Sequence, residues 1–343
     1  MSDVLQNYDP SGIGLAGAIF GLPFDYDSAT LIVLGVPWEV TVSYHAGTAR
    51  GVEALLEASS QIDLYDFDHP EGWKQGIFMP EISAEILDKS DRYRQDAAKI
   101  IDHLATGAKL DAELTQLLEQ INQACESVNQ WLFEQTHAAL NAGKRVAVIG
   151  GDHSVPLGFL SAIATHYPNF GILHIDAHSD LRVAYEGFEY SHASIMYNAL
   201  KLPQISKLVQ VGIRDTCEDE VDLVRNSKGR ISVHYDAMLK QKSYAGIPWL
   251  ELCQQIVSEL PQEVYVSVDV DGLDPKLCPN TGTPVPGGLE LEQMICLFRE
   301  IVTSGRTIIG FDVVEVGNAE WDGNVAARTV YKLCNLMDLS WQK

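Results

Sequence analysis

The sequence predicts an α/β protein organised around a mainly parallel sheet, and two patterns carry the prediction. Short runs of aliphatic and β-branched residues recur along the chain: TLIVLGVP, RVAVIGG, FGILHID, KLVQVGI, VYVSVDV and TIIGFDVVEV. Runs without polar alternation are strands covered on both faces, which is the condition of a parallel sheet. The longer stretches between them are amphipathic or rich in small residues, completing the alternation of strand and helix.

Taken in order, residues 1–28 precede the first apolar run and read as an N-terminal arm, and residues 29–343 read as one domain. The first strand starts at Thr30. The segment from Phe67 to Leu110, with charge, Gly and Pro at its start, falls outside the rhythm and reads as an elaboration on the sheet. Leu114, Leu117, Leu118, Ile121, Cys125, Val128 and Leu132 recur at helical spacing, which predicts a long helix ahead of the strand at Arg145. That strand runs into Asp152-His153-Ser154 and a helix, PLGFLSAIATHY, for which Asp152 or Ser154 is the expected N-cap. Leu289 to Ile301 predicts another helix before the last strand.

Composition narrows the function. With 24 Lys and Arg against 47 Asp and Glu, the formal charge is −23. Such a surface repels phosphate backbones and anionic membranes, so neither nucleic acid nor a membrane is an expected partner. Six scattered cysteines without a Cys-x-x-Cys pair read as reduced thiols, and the start lacks a basic segment followed by an apolar one. The expected compartment is the cytoplasm.

Charge is concentrated where apolar runs end. In an extended strand, residues two apart share a face, so Asp176, His178 and Asp180 point together, with His174 on the same parity but deeper. VYVSVDVDGLDP ends likewise in Asp269 and Asp271, and RVAVIGG delivers His153 to a strand-to-helix turn. Parallel sheets bind ligands at the carboxyl ends of their strands. Four aspartates converging there need cations, and the motifs offer only Arg182 at one margin, so metal is the better answer. Four carboxylates, two imidazoles and no thiolate suit Mn²⁺, and six ligands suit two bridged ions, which would lower the pKa of a water between them.

GGDHS at 150–154, DAHSD at 176–180 and SVDVDGLDP at 267–275 match, in order and spacing, the metal motifs of the arginase and agmatinase (ureohydrolase) family, which the chain resembles. TGTPVPGG at 281–288 and DVVEV at 312–316 extend the likeness, which is closest to the agmatinase-like branch. The resemblance implies a three-layer α/β/α arginase-like fold and a homo-oligomer, trimer or hexamer. It assigns one Mn²⁺ to His153, Asp176, Asp180 and Asp269 and the other to Asp176, His178, Asp269 and Asp271, with Ni²⁺ as the alternative metal. Asp180, Glu315 and His192 would be catalytic: Glu315 as the guanidinium-binding carboxylate, His192 as the proton shuttle. His192 is followed by Ala193 where the family usually has Gly. The implied reaction is metal-assisted hydrolysis of a small guanidino substrate to urea and an amine.

The substrate's far end stays open at this level. Arg182 would pair with a carboxylate-bearing substrate, or be engaged by Glu186 or Glu189 in the same loop. Trp38, in VPWEVTVSYHAGTARG at the place of the family's first active-site loop, would line the pocket or belong to the core. Arginase, guanidino-acid hydrolase, free guanidine hydrolase and formimidoylglutamase activities are the alternatives within the family. A metal-dependent deacylase and a non-catalytic binding protein on the same fold are the alternatives outside it.

Overall fold

The computed structural model describes residues 8–342. Eight strands form its sheet: β1 (Leu31–Val36), β2 (Ile77–Phe78), β3 (Arg145–Gly150), β4 (Phe170–Ile175), β5 (Ile205–Val211), β6 (Ile231–His234), β7 (Glu263–Asp269) and β8 (Thr307–Val314). Their spatial order is β2-β1-β3-β8-β7-β4-β5-β6, and every neighbouring pair is parallel.

Ten helices accompany the sheet among the described residues. They are α1 (Gly51–Ser59), α2 (Ala84–Ala105), α3 (Ala112–Asn141), α4 (Leu157–His166), α5 (Ile195–Ala199), α6 (Glu218–Asn226), α7 (Asp236–Tyr244), α8 (Trp249–Ser258), α9 (Leu291–Thr303) and α10 (Glu320–Trp341). The long helix expected before Arg145 is α3, and its buried stripe is Ile121, Ala124, Cys125, Val128, Leu132, Thr136 and Ala139. The strands are buried on both faces, β4 along its whole length, because helices surround the sheet. None of the described helices is long and apolar enough to cross a membrane.

Residues 8–28 lie against this body. Ile19, Phe20, Leu22 and Phe24 are buried, and the Phe20 N–H donates to Ser59 Oγ of α1 at 2.9 Å. The segment from Phe67 to Leu110 supplies the edge strand β2 beside β1, and then α2. The fully buried Ser90 of α2 accepts from the Glu39 N–H at 3.0 Å, so this helix braces the loop after β1.

One local expectation changes. Pro156 is the N-cap residue of α4 and supplies no side-chain cap. Asp152 closes the preceding turn instead, accepting from the Ser154 N–H at 3.0 Å and from the Ser154 hydroxyl. An aspartate that bonds its neighbour two residues on builds a turn, and this one sets His153 at the head of β3.

Candidate active site

The strand order brings the motifs together. β3, β8, β7 and β4 are consecutive neighbours, and their carboxyl ends carry His153, Glu315, Asp269 with Asp271, and Asp176 with His178 and Asp180. His153 Nδ1 lies 3.1 Å from Asp176 Oδ2, 3.1 Å from Asp180 Oδ2 and 3.3 Å from Asp269 Oδ2. His178 Nδ1 lies 3.0 Å from Asp271 Oδ2 and 3.5 Å from Asp176 Oδ1. Ligand atoms of His153, His174, Asp176 and Asp180 sit within 4.8 Å of one another, as do those of Asp176, His178 and Asp271. Asp176 belongs to both groups, which is the arrangement of a carboxylate shared by two cations.

Backbone geometry holds the cluster. The Asp271 N–H donates to Asp269 Oδ1 at 2.8 Å, and the Ala177 N–H donates to Asp271 Oδ1 at 3.0 Å. Asp180 and Glu315 both adopt left-handed conformations, φ 53° and 59°. Non-glycine residues carry that cost where the surroundings dictate the backbone, and such positions cluster at functional sites.

Charge explains what the cluster is fit to hold. Burial opposes ionisation of His153, yet Asp176, Asp180 and Asp269 raise its pKa well above the imidazole range. His178 is likewise raised against its burial, by Asp271 and Asp176. Burial, with Asp176 beside it, pushes Asp180 up to about 7, and burial with Asp271 and Asp176 raises Asp269 well above the carboxylate range. Asp176 is held well below the carboxylate range despite its burial, by His174, His153 and His178. The protein can balance these carboxylates only by retaining protons on imidazoles and acids, a task that divalent cations perform better.

The orientation of His153 fits the same role. Ser267 Oγ donates to Asp312 Oδ1 at 3.1 Å and lies 2.9 Å from His153 Nε2. With the hydroxyl proton committed to the carboxylate, Nε2–H donates to Ser267, and Nδ1, turned to the aspartates, is the nitrogen whose proton a cation would displace. Metal-ligating imidazoles are fixed in this way.

Glu315 closes the site from β8. Its Oε1 accepts the His153 N–H at 3.0 Å, while Oε2 is buried without any hydrogen-bond partner. Burial, then Asp269 and Asp152, raise its pKa well above the carboxylate range. Gly282, in the TGTPVPGG loop, faces it: a Cβ there would stand 2.9 Å from Oε2. Thr281 Oγ1 is also buried and unpartnered. A buried carboxylate oxygen and a hydroxyl without partners are what a planar, multiply donating cation would satisfy.

A cleft of ≈190 Å³ opens beside the cluster, lined by Ser43, His178, Asp180, Arg182, Tyr185, His192, Asp215, Glu220 and Thr283 among others. The Arg182 guanidinium stacks 4.7 Å from the Tyr185 ring centre and makes no ion pair among the described residues, so Glu186 and Glu189 do not engage it. Trp38 is 2% exposed and belongs to the core, not the cleft wall. Tyr185 and Ser43 stand in the wall instead, and nothing in their residue types marked them out.

His192 reaches the cleft with its backbone N–H donating to Thr41 Oγ1 at 3.1 Å. Thr41, buried at the back of the site, was also not evident from the sequence. Burial, then the positive charges of His178 and His153, lower the His192 pKa to about 3. The sequence reading asks this imidazole for a proton near neutrality; the structure keeps it neutral at pH 7, and the acid held near 7 is Asp180.

Fold and site together define a hydrolase with a candidate metal centre of histidines and aspartates at the carboxyl ends of its strands. Residues 29–337 match the Arginase family. The chain is 31% identical over 316 residues to N(1)-aminopropylagmatine ureohydrolase of Thermus thermophilus, 92% of each chain. It is 29% identical over 334 residues to agmatinase of Sodalis glossinidius, 95% of this chain and 93% of that one. In structure it resembles agmatine ureohydrolase of Thermoplasma volcanium, with a TM-score of 0.70, 22% identity and coverage of 100% and 99%. It likewise resembles proclavaminate amidino hydrolase of Streptomyces clavuligerus, with a TM-score of 0.72, 22% identity and coverage of 96% and 99%; both show the fold. The chain belongs to the arginase family, a family dependent on a binuclear metal centre, and it is a hydrolase of C–N bonds in a guanidino compound.

Proposed function

We propose that this protein is a manganese-dependent, agmatinase-like hydrolase that splits a guanidino compound bearing a distal amine into urea and the free amine. The observation that carries it is Glu315 Oε2, buried and unpartnered beside the four-aspartate cluster. His153, Asp176, Asp180 and Asp269 would hold one ion, and Asp176, His178, Asp269 and Asp271 the other. Oxygen-dominated ligation without thiolate favours Mn²⁺, with Ni²⁺ the competitor. The bound pair would supply a water of low pKa and neutralise the carboxylates.

The residues of the chain do the rest. Glu315 pairs with the guanidinium and fixes its plane, with Gly282 leaving room for it. Asp180 lines the cleft and, as one of the ligands, would stay ionised once the metal is bound. His192 stands at the cleft as a neutral imidazole, so it would take up the proton released by the attacking water and pass that proton to the departing amine, whose conjugate acid has a pKa of about 10. The tail would leave past Asp215 and Glu220, where acidic lining and a charge of −23 favour an amine. Arg182 stacks on the Tyr185 ring at the cleft wall. The two relatives named above, whose names specify agmatine-type substrates, support the same choice.

Urea release by Mn²⁺- and Ni²⁺-reconstituted protein tests this against agmatine, aminopropylagmatine, arginine, 4-guanidinobutyrate, 3-guanidinopropionate and guanidine, with formimidoylglutamate assayed for formamide. Amine-bearing substrates should be turned over best. Preference for a carboxylate-bearing one would make Arg182 the selectivity residue, and silence across the panel with metal bound would overturn the proposal. We place the enzyme in the cytoplasm, consistent with six free thiols, as a homo-oligomer whose size light scattering would establish.

A further inference from the structure

We propose that His174 is a positioning residue for Asp176, not a metal ligand, and that Gln210 fixes its tautomer. The inference rests on the metal reading above. Distance alone would admit His174 as a ligand, since its Nε2 lies 2.8 Å from Asp176 Oδ2 and within the four-residue cluster. Hydrogen-bond accounting excludes it.

Gln210 lies opposite His174 on the adjacent strand β5, and both side chains are fully buried. Its amide Nε2 stands 2.7 Å from the Ser179 carbonyl oxygen and 2.9 Å from His174 Nδ1. A carbonyl oxygen only accepts, so the group facing it is the NH₂ end, and the amide cannot be flipped. Its second hydrogen points at His174 Nδ1, which therefore carries a lone pair and no proton. The ring proton resides on Nε2 and is donated to Asp176 Oδ2. A protonated nitrogen cannot ligate a metal. His153 is arranged in the opposite sense, with Nε2–H turned away to Ser267 and Nδ1 turned in to the aspartates, where a cation would displace its proton.

The consequence is a carboxylate aimed in advance. Asp176 Oδ2 is fixed by His174, and Oδ1 accepts the His178 N–H at 2.5 Å. Through the Ser179 carbonyl, the same Gln210 amide also holds the residue before Asp180. One side chain on β5 thus steers two aspartates after β4, and it does so with its own Oε1 buried and unpartnered. An uncompensated buried oxygen is tolerated where the other end of the amide is functionally constrained.

Manganese content and affinity of metal-stripped wild type, His174→Leu and His174→Gln test this, read by elemental analysis and titration calorimetry. Gln presents an amide N–H where His174 presents Nε2–H. The expected result is two ions in wild type, a 10- to 100-fold affinity loss in His174→Leu, and recovery to within several-fold in His174→Gln. Equal weakening in both variants would mark His174 as a ligand and overturn the proposal, as would unaltered affinity in His174→Leu. Nitrogen-15 chemical shifts of His174 in the metal-stripped wild type decide the tautomer even if the leucine variant fails to fold: a proton on Nδ1 overturns the assignment. A wild type that binds no divalent cation would instead sink the metal reading itself.

Discussion

The Glu315 carboxylate accepts a hydrogen bond from the His153 backbone N–H at 3.0 Å. The residue proposed to grip the guanidinium and a residue proposed to hold metal are thus joined directly, across neighbouring strands β8 and β3. The carbon to be attacked is thereby placed relative to the cations by backbone rather than by a mobile loop, which is how near-attack geometry is secured.

Glu315→Gln keeps the shape and the hydrogen bond from His153 but removes the charge. Losing one partner of a buried charged pair costs about 3–5 kcal/mol, or roughly 10²- to 10⁴-fold. That loss is expected in kcat/KM for urea release, with metal content unchanged by elemental analysis. Parallel loss of metal would show Glu315 to be part of the ligand set instead.

Gly282→Ala places a methyl group 2.9 Å from Glu315 Oε2. The glycine's φ is not left-handed, so the backbone itself should accept alanine. Activity should fall at least about tenfold, with the melting temperature nearly unchanged, because displacement of about 1 Å at a reacting group is costly. A fully active variant would mean that Oε2 does not contact substrate.

Removing metal should destabilise the fold. At free Mn²⁺ of about one hundred times Kd, a single native-state site contributes about 2.7 kcal/mol. Chelation should therefore lower the melting temperature by several degrees, and His153→Ala or Asp269→Asn should erase most of the difference. A melting curve indifferent to both chelator and Mn²⁺ would contradict the ligand assignment.

The pH dependence of stability follows from His192. Its folded pKa is depressed to about 3, by burial first and the neighbouring imidazolium charges second, against about 6.5 unfolded. The unfolded chain takes up this proton first, so the contribution is constant above pH ~6.5 and is lost as pH falls from there towards 3. Denaturant unfolding of the metal-stripped protein should lose stability across that window, on the order of a few kcal/mol from this residue. His192→Asn should flatten the slope; an unchanged slope would place the proton uptake elsewhere.

Much of the site was legible because its acids directly follow buried apolar runs, whose carboxyl ends are where parallel sheets bind ligands. Strand parity itself does not place the cluster: β4 ends at Ile175 and β7 at Asp269, so Asp176, His178, Asp180 and Asp271 lie in the turns just past the strands, with Asp180 at φ 53°. Less legible were residues whose role depends on what lies across from them. Trp38 is as apolar as a pocket wall or a core residue must be, and only packing puts it in the core. Arg182 carries the same charge whether it meets a carboxylate, Glu186 or, as it does, the Tyr185 ring. Ser43, Thr41 and Gln210 bear no chemical mark that separates them from surface polar residues.

By itself, the sequence determined the alternation of strands and helices, the acidic charge, and which side chains gather at each strand's end, because these depend on residue type and local periodicity. Tertiary structure decided which strands are neighbours. The order β3-β8-β7-β4 joins motifs more than 160 residues apart, from His153 to Glu315, and no local periodicity encodes that pairing. It also decided the protonation pattern, with His192 neutral, Asp180 near 7 and the His174 proton on Nε2, since burial and neighbouring charges exist only once the chain is folded.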